Sequence, residues 1–161
     1  VDLIVEQQKP VLFVVNKWDL YAGDVERSEW AQYLRDTFRT MPWAPIAFVT
    51  AKTGRNVKAA IDTTQRLFRQ SQARVPTAAL NTMIHAATQA TRPPSDRRGR
   101  PVRIYFATQV DTAPPTIVLS TSSPESITAP YKRYLLSSLR KNAPFTEVPI
   151  KILVRNHKSR E

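Results

Sequence analysis

Val11-Leu12-Phe13-Val14-Val15-Asn16-Lys17-Trp18-Asp19 is the stretch whose reading settles the fold class. Its five leading residues are apolar without alternation, the pattern of a strand buried on both faces of a parallel sheet. A second run of that kind, Ile46-Ala47-Phe48-Val49, follows it. Helical spacing fills the interval: Trp30, Tyr33, Leu34, Thr37, Phe38 and Met41 recur on one helix face, with Asp24 as a candidate cap, until Pro42 and Pro45 break the pattern. After the second run, Asn56 reads as the N-cap of a helix with Val57, Ile61, Thr64 and Phe68 on its inner face. Residues 1–8 read as the end of a helix. The order strand–helix–strand–helix implies parallel pairing with right-handed crossovers.

Past residues 74–76 the strand chemistry changes, and the domain boundary is placed there. Thr77 can cap a helix whose apolar stripe is Leu80, Ile84 and Ala87. A polar, basic loop over residues 92–101 leads into alternating strands. Val102, Ile104 and Phe106 point one way, and Arg103 and Tyr105 the other. A short strand is expected at residues 116–120. A helix over residues 126–141 carries Ile127, Tyr131, Tyr134, Leu135 and Leu139. A last strand sets Ile150, Ile152 and Val154 against Lys151 and Arg155. Alternation predicts a sheet with one covered and one wet face. The expected architecture is therefore α/β: an α/β unit with parallel strands over residues 1–75, then an α+β unit of order α-β-β-α-β over residues 76–161.

Charge separates the two units further. Residues 1–74 hold 11 Lys/Arg against 8 Asp/Glu, a net of +3, and residues 75–161 hold 13 against 5, a net of +8. A surface this basic attracts polyanions by counterion release, so nucleic acid is the expected partner of the second unit. The absence of Cys excludes disulfides and thiolate metal sites, and no His, Cys or carboxylate set stands at metal-ligand spacing. No apolar run approaches the roughly 20 residues of a membrane span, so a cytoplasmic protein without a membrane partner is expected. The start at Val1 reads as an internal one, and the chain as part of a longer protein.

Asn16-Lys17-Trp18-Asp19 spells N-K-x-D at the carboxyl end of the first strand, where open α/β sheets bind ligands. Guanine presents two adjacent donors, N1–H and the exocyclic N2–H, and an ionised Asp19 can accept both. Asn16 can donate to guanine N7 and tie neighbouring loops together. Lys17 can lay its aliphatic stem along the purine face. Thr50-Ala51-Lys52 ends the next strand on the same sheet edge. There the Ala51 N–H can donate to guanine O6 and Lys52 can close over the base.

This arrangement resembles the fourth and fifth motifs of translation-factor-type GTPases, with Thr50 where Ser is usual. Asn16-Lys17-Trp18-Asp19 with Trp at the variable position is similar to the second G domain of the tandem bacterial GTPase family Der, also called EngA. Pro93-Pro94, Arg98-Gly99-Arg100, residues 102–105, Pro114-Pro115-Thr116-Ile117-Val118 and Tyr131-Lys132-Arg133-Tyr134-Leu135 resemble that family's C-terminal KH-like domain. The resemblance implies the C-terminal half of a P-loop GTPase domain followed by a KH-like domain. It implies GTP or GDP as ligand and a role in assembly of the large (50S) ribosomal subunit. The implied partners are 23S rRNA and the first G domain of the parent chain.

A P-loop, G-x-x-x-x-G-K-[ST], is needed to hold the β- and γ-phosphates and Mg²⁺. The sequence has only Gly23, Gly54 and Gly99 and no Gly-Lys pair, so no catalytic residue is assigned. Mg²⁺ would be held only by parts of the parent that this chain lacks, and the chain by itself is expected not to hydrolyse GTP. Asp96-Arg97-Arg98-Gly99 spells D-x-x-G but lies downstream of N-K-x-D, which argues against a phosphate-loop role. The G-x-x-G clamp of RNA-binding KH domains is also missing. RNA contact would then fall to basic side chains on phosphates, with Arg97, Arg98, Arg100, Lys132, Arg133, Arg140 and Lys141 as candidates. These same residues can instead dock a neighbouring G domain or stay solvated. Tyr131 and Tyr134 are expected in the core rather than as base-stacking platforms. Two alternatives stay open: another G protein with an unrelated appendage, and a basic RNA-binding module without nucleotide function.

Overall fold

The computed structural model describes residues 2–21 and 26–157. Its first part is α1 (Asp2–Gln7), β1 (Phe13–Val15), α2 (Arg27–Thr37), β2 (Ile46–Phe48) and α3 (Val57–Gln72). As expected, β1 and β2 pair in parallel, Phe13 opposite Ile46 and Val15 opposite Phe48. Backbone bonds from Val49 N–H to Val15 O (2.9 Å) and from Trp18 N–H to Val49 O (3.1 Å) carry the pairing beyond the strands. They hold the two strand ends side by side.

Several sequence expectations are modified here by tertiary context. Val14 is 52% exposed and β2 is half-buried throughout, so neither strand is buried on both faces. The sheet is only two strands wide among the described residues, and one side of it lacks a covering layer. On α3 the buried residues are Ala60, Leu67 and Ser71, while Ile61 and Phe68 are 54% and 64% exposed. The helix turns Leu67 into the core of the second part. That rotation swings Ile61 and Phe68 outward, since neighbouring positions lie about 100° apart around a helix. Asn56 holds the N-cap position of α3 as expected, but in left-handed conformation (φ 61°) and without a side-chain capping bond. Its Nδ2 donates instead to Phe48 O (2.9 Å), which ties the turn to β2. The proposed cap Asp24 lies outside the described residues, and Glu26 occupies the N-cap position of α2.

The second part is α4 (Thr77–Ala90), β3 (Ile104–Asp111), β4 (Thr116–Thr121), α5 (Ala129–Asn142) and β5 (Lys151–Asn156), the expected α-β-β-α-β order. The sheet runs β3-β4-β5, with β3 antiparallel and β5 parallel to the central β4. Leu80, Ile84 and Ala87 of α4 and Tyr131, Leu135 and Leu139 of α5 pack over Ala107, Ile117 and Leu119 on one sheet face. Tyr131 and Tyr134 are structural, as expected. Their hydroxyls donate to Thr91 O (2.9 Å) and Ala87 O (2.8 Å) at the end of α4, and burial pushes the Tyr131 phenol up to about 12. Thr77 is the first helical residue rather than the cap, a position held by Pro76.

β3 departs from simple alternation. A register shift between Ile104 and Phe106 leaves Tyr105 as an extra residue, so Phe106 is 45% exposed instead of joining Val102 and Ile104 inside. At the outer edge of β3 one side chain takes up the polar groups of Ala107: Asn81 accepts from Ala107 N–H (2.9 Å) and donates to Ala107 O (2.8 Å). That edge therefore offers less to another strand.

The two parts share a core. Leu67 and Val75 belong to the cluster of the second part, and Leu12 packs against it. The Glu147 carboxylate receives Arg66 (3.0 and 3.1 Å) and Gln70 (2.9 Å) from α3. No helix among the described residues is long and apolar enough to cross a membrane.

Candidate functional site

The two loops that leave β1 and β2 meet in a cleft of about 330 Å³. Its lining is Asn16, Lys17, Asp19, Leu20, Thr50, Ala51 and Lys52, which gathers all six residues assigned to base recognition from sequence. The volume lies in the range of small-ligand pockets, roughly 300–1,000 Å³. Leu20, 68% exposed at the rim, is the lining residue that the sequence reading missed. Its only signal was its position directly after the motif.

Each loop is built to hold its shape. Lys17 sits in left-handed conformation (φ 58°) at the strand end, and Trp18–Leu20 close into a 3-10 turn. Trp18 is 4% exposed and lies against Phe48 (ring centroids 4.5 Å apart), so it anchors the turn from beneath. The second loop folds back on itself through Thr50 N–H to Arg55 O (3.0 Å) and Thr53 N–H to Thr50 O (3.2 Å). Gly54, at φ 76°, supplies a conformation that side chains with a Cβ disfavour.

Asn16 joins the loops. Its Oδ1 accepts from Lys17 N–H (2.8 Å) and, across 35 positions of sequence, from Ala51 N–H (3.1 Å). The tie was expected, and it bears on the role given to Ala51. The N–H assigned to guanine O6 is engaged by Asn16, so a base can receive it only by sharing or exchanging that bond. Asp19 is exposed on the cleft and makes no ion pair among the described residues. Thr50 is 2% exposed, and its Oγ1 has no hydrogen-bond partner among the described residues. A buried hydroxyl left unpaired carries a cost of about 1–3 kcal/mol, which an acceptor entering the cleft would relieve.

The basic candidates divide. Arg97, Arg98, Arg133 and Lys141 are exposed and Lys132 is half-buried. Arg100 is paired with Asp96 through Nε (3.0 Å) and a second guanidinium nitrogen (2.9 Å). The Asp96 carboxylate also accepts from the N–H groups of Arg98 (2.8 Å) and Arg100 (2.9 Å). Those bonds, the Arg100 backbone first, hold its pKa below the ordinary 3.8. The D-x-x-G tetrapeptide is thus a self-bonded turn, not a phosphate loop. Arg140 is engaged within the chain. Its Nη1 donates to the carbonyls of Phe145 (3.2 Å), Thr146 (3.2 Å) and Val148 (2.6 Å), and its guanidinium lies 5.0 Å from the Trp43 ring centre. One nitrogen of the fork is thus engaged in holding the segment after α5, and the residue is half-buried.

A family profile described as "KH-domain-like of EngA bacterial GTPase enzymes, C-terminal" matches residues 74–155. Among curated relatives, a protein named GTPase Der from Rhodopirellula baltica is 45% identical over 161 residues, covering 100% of this chain and 35% of the relative. GTPase Der of Geobacter metallireducens is 38% identical over 157 residues (97% and 36%), and that of Acaryochloris marina 35% over 159 (98% and 35%). The chain spans about a third of the length of these relatives.

Proposed function

Because this chain belongs to the Der/EngA family of bacterial GTPases and carries its C-terminal KH-like domain, we propose that the cleft between β1 and β2 reads the guanine base of GTP or GDP. The observation that carries this reading is the joining of two distant motifs at one sheet edge, Asn16 Oδ1 to Ala51 N–H at 3.1 Å, with Asp19 on the rim. The Asp19 carboxylate accepts N1–H and N2–H together. Adenine lacks that donor pair, and a site built to bond a group rejects a ligand without it by about 10⁴-fold. Lys17, Lys52 and Leu20 enclose the purine faces with aliphatic carbon.

In this reading residues 1–75 are the guanine-binding half of a G domain and residues 76–161 the KH-like domain. The parent hydrolyses GTP in the cytoplasm during assembly of the 50S subunit, with 23S rRNA and the first G domain as partners of the KH-like part. The residues here do not fit a Mg²⁺ site: no cluster of three or more His, Asp or Glu is gathered among the described residues, and the sequence has no P-loop. Phosphate chemistry belongs to the parent's other segments, and the 161-residue chain does not turn over GTP. The test is a nitrogen-15 NMR titration with GDP and ADP. GDP is expected to shift the amides of Lys17, Ala51 and Lys52 while ADP leaves them in place. Equal shifts with both would refute base selection.

A further inference from the structure

The KH-like sheet has α4 and α5 on one face, and the other face carries an unassigned cluster. The bulge in β3 places the two adjacent aromatic residues, Tyr105 and Phe106, on that open face at 50% and 45% exposure. Ser120 stands opposite Phe106 in β4, and Arg155 stands opposite Ser120 in β5, so all three share the face turned away from buried Leu119 and Thr121. His157, two positions beyond Arg155, is stacked on Tyr105 with ring centroids 4.5 Å apart and 29° between planes. The contact between Ser120 Oγ and His157 Nδ1 (3.0 Å) fixes that ring.

A strand bulge that re-aims two aromatic side chains outward, beside an ordered histidine, costs exposed apolar area and regular pairing. The same bulge lets Ile104 and fully buried Ala107 both face the core, and it leaves the two rings free to meet a partner. Charge indicates the occupant: Arg155 is exposed beside the aromatic residues, Arg103 is exposed two positions before Tyr105, and the nearest carboxylate along the strand, Asp111, lies at its far end. Flat aromatic faces flanked by guanidinium groups suit unpaired bases joined by phosphates.

We propose that this open sheet face, around Tyr105, Phe106, Arg155 and His157, is a binding platform for single-stranded RNA. A base stacks on Phe106 or on the Tyr105–His157 pair, and Arg103 and Arg155 meet the adjoining phosphates. The proposal rests on the RNA-binding part of the function proposed above and moves the contact from the loop and α5 cations to the opposite side of the domain.

The experiment measures binding of a fluorescein-labelled ten-nucleotide uridine RNA to the 161-residue chain by anisotropy at low salt. Phe106→Ala is expected to raise Kd about 10-fold, within the range of one lost base–aromatic stack, and Phe106→Tyr to restore it. Lys132→Ala with Arg133→Ala should change Kd by less than about 3-fold, as for peripheral phosphate contacts. A duplex RNA of the same length should bind at least about 10-fold more weakly, since its bases are not free to stack. Photocrosslinking with 4-thiouridine should label the 105–106 segment, a readout independent of variant stability. If Phe106→Ala binds as the wild type while the α5 pair weakens binding, the sheet-face proposal is overturned and the RNA reading stands. If the wild type binds no RNA, both fall. Equal binding of duplex and single strand would also overturn the stacking proposal.

Discussion

Replacing Arg140 by Met separates a structural guanidinium from an RNA-binding one, and the structure sets the size of the effect. Met keeps the apolar stem but removes every donor. The two hydrogens on Nη1 are shared among three carbonyls, two of them on Phe145 and Val148, whose side chains are fully buried. Charge-assisted bonds contribute about 1.5–3 kcal/mol each, so two bonds' worth is roughly 3–6 kcal/mol. The contact with Trp43 adds about 0.5–1 kcal/mol. Against this stands the desolvation of the guanidinium, which lowers its pKa to about 10 while leaving it protonated at neutral pH. The part of the surrounding cleft that stays open to water reduces the loss again. A net destabilisation of about 2–3 kcal/mol is expected, which for a chain of this size lowers Tm by roughly 4–12 °C. Thermal unfolding followed by circular dichroism, with urea unfolding as a second probe, measures it. Arg140→Lys keeps the charge but not the planar fork and should recover less than half of the loss. A Met variant that melts within about 1 °C of the wild type would refute the structural assignment.

Asn81→Ala leaves Ala107 N–H and O without their partner and should cost about 1–3 kcal/mol in urea unfolding, with the freed β3 edge raising self-association in light scattering. Asn16→Ala should loosen the two cleft loops together: exchange of the Lys17 and Ala51 amides should quicken in hydrogen-exchange NMR, while the amides of α4 stay protected. The turn at 95–101 should respond to acid with a definite sign. The Asp96 pKa is lowered on folding, so its contribution is present above about pH 3.8 and fades only as pH falls through the lower folded value. The Arg98 and Arg100 amide shifts, followed between pH 5 and 2 on the scale of a carboxylate titration, should show a midpoint below 3.8, and Asp96→Asn should abolish it.

Element order and pairing direction were legible because they depend on local pattern. Apolar runs gave β1 and β2, and helix-spaced stripes gave α4 and α5 with Leu80, Ile84, Tyr131 and Leu135 inside. The meeting of the two loops was legible because the proposed base recognition needs particular donors and acceptors at a strand end, and those residue types are few. What failed depends on tertiary context. Val14 and Phe68 are apolar yet exposed, since a sequence records a hydrophobic face and not what covers it. Phe106 was misplaced because a bulge of one residue reverses alternation without a composition signal. Arg140 was read as a surface cation because the carbonyls that claim it lie past the end of its helix. The Asn16 tie between the loops was expected, but that Ala51 N–H, 35 positions away, is the donor it engages has no local trace.

The most direct measurement is the nucleotide preference of Asp19→Asn in a G domain completed by its phosphate-binding half. The amide oxygen at position 19 can still accept from N1–H, but its NH₂ replaces the acceptor of guanine N2–H and suits the C2 carbonyl of xanthine. The account predicts that the variant prefers xanthosine triphosphate over GTP, the reverse of the unaltered protein. A variant that keeps the original preference for GTP would contradict it.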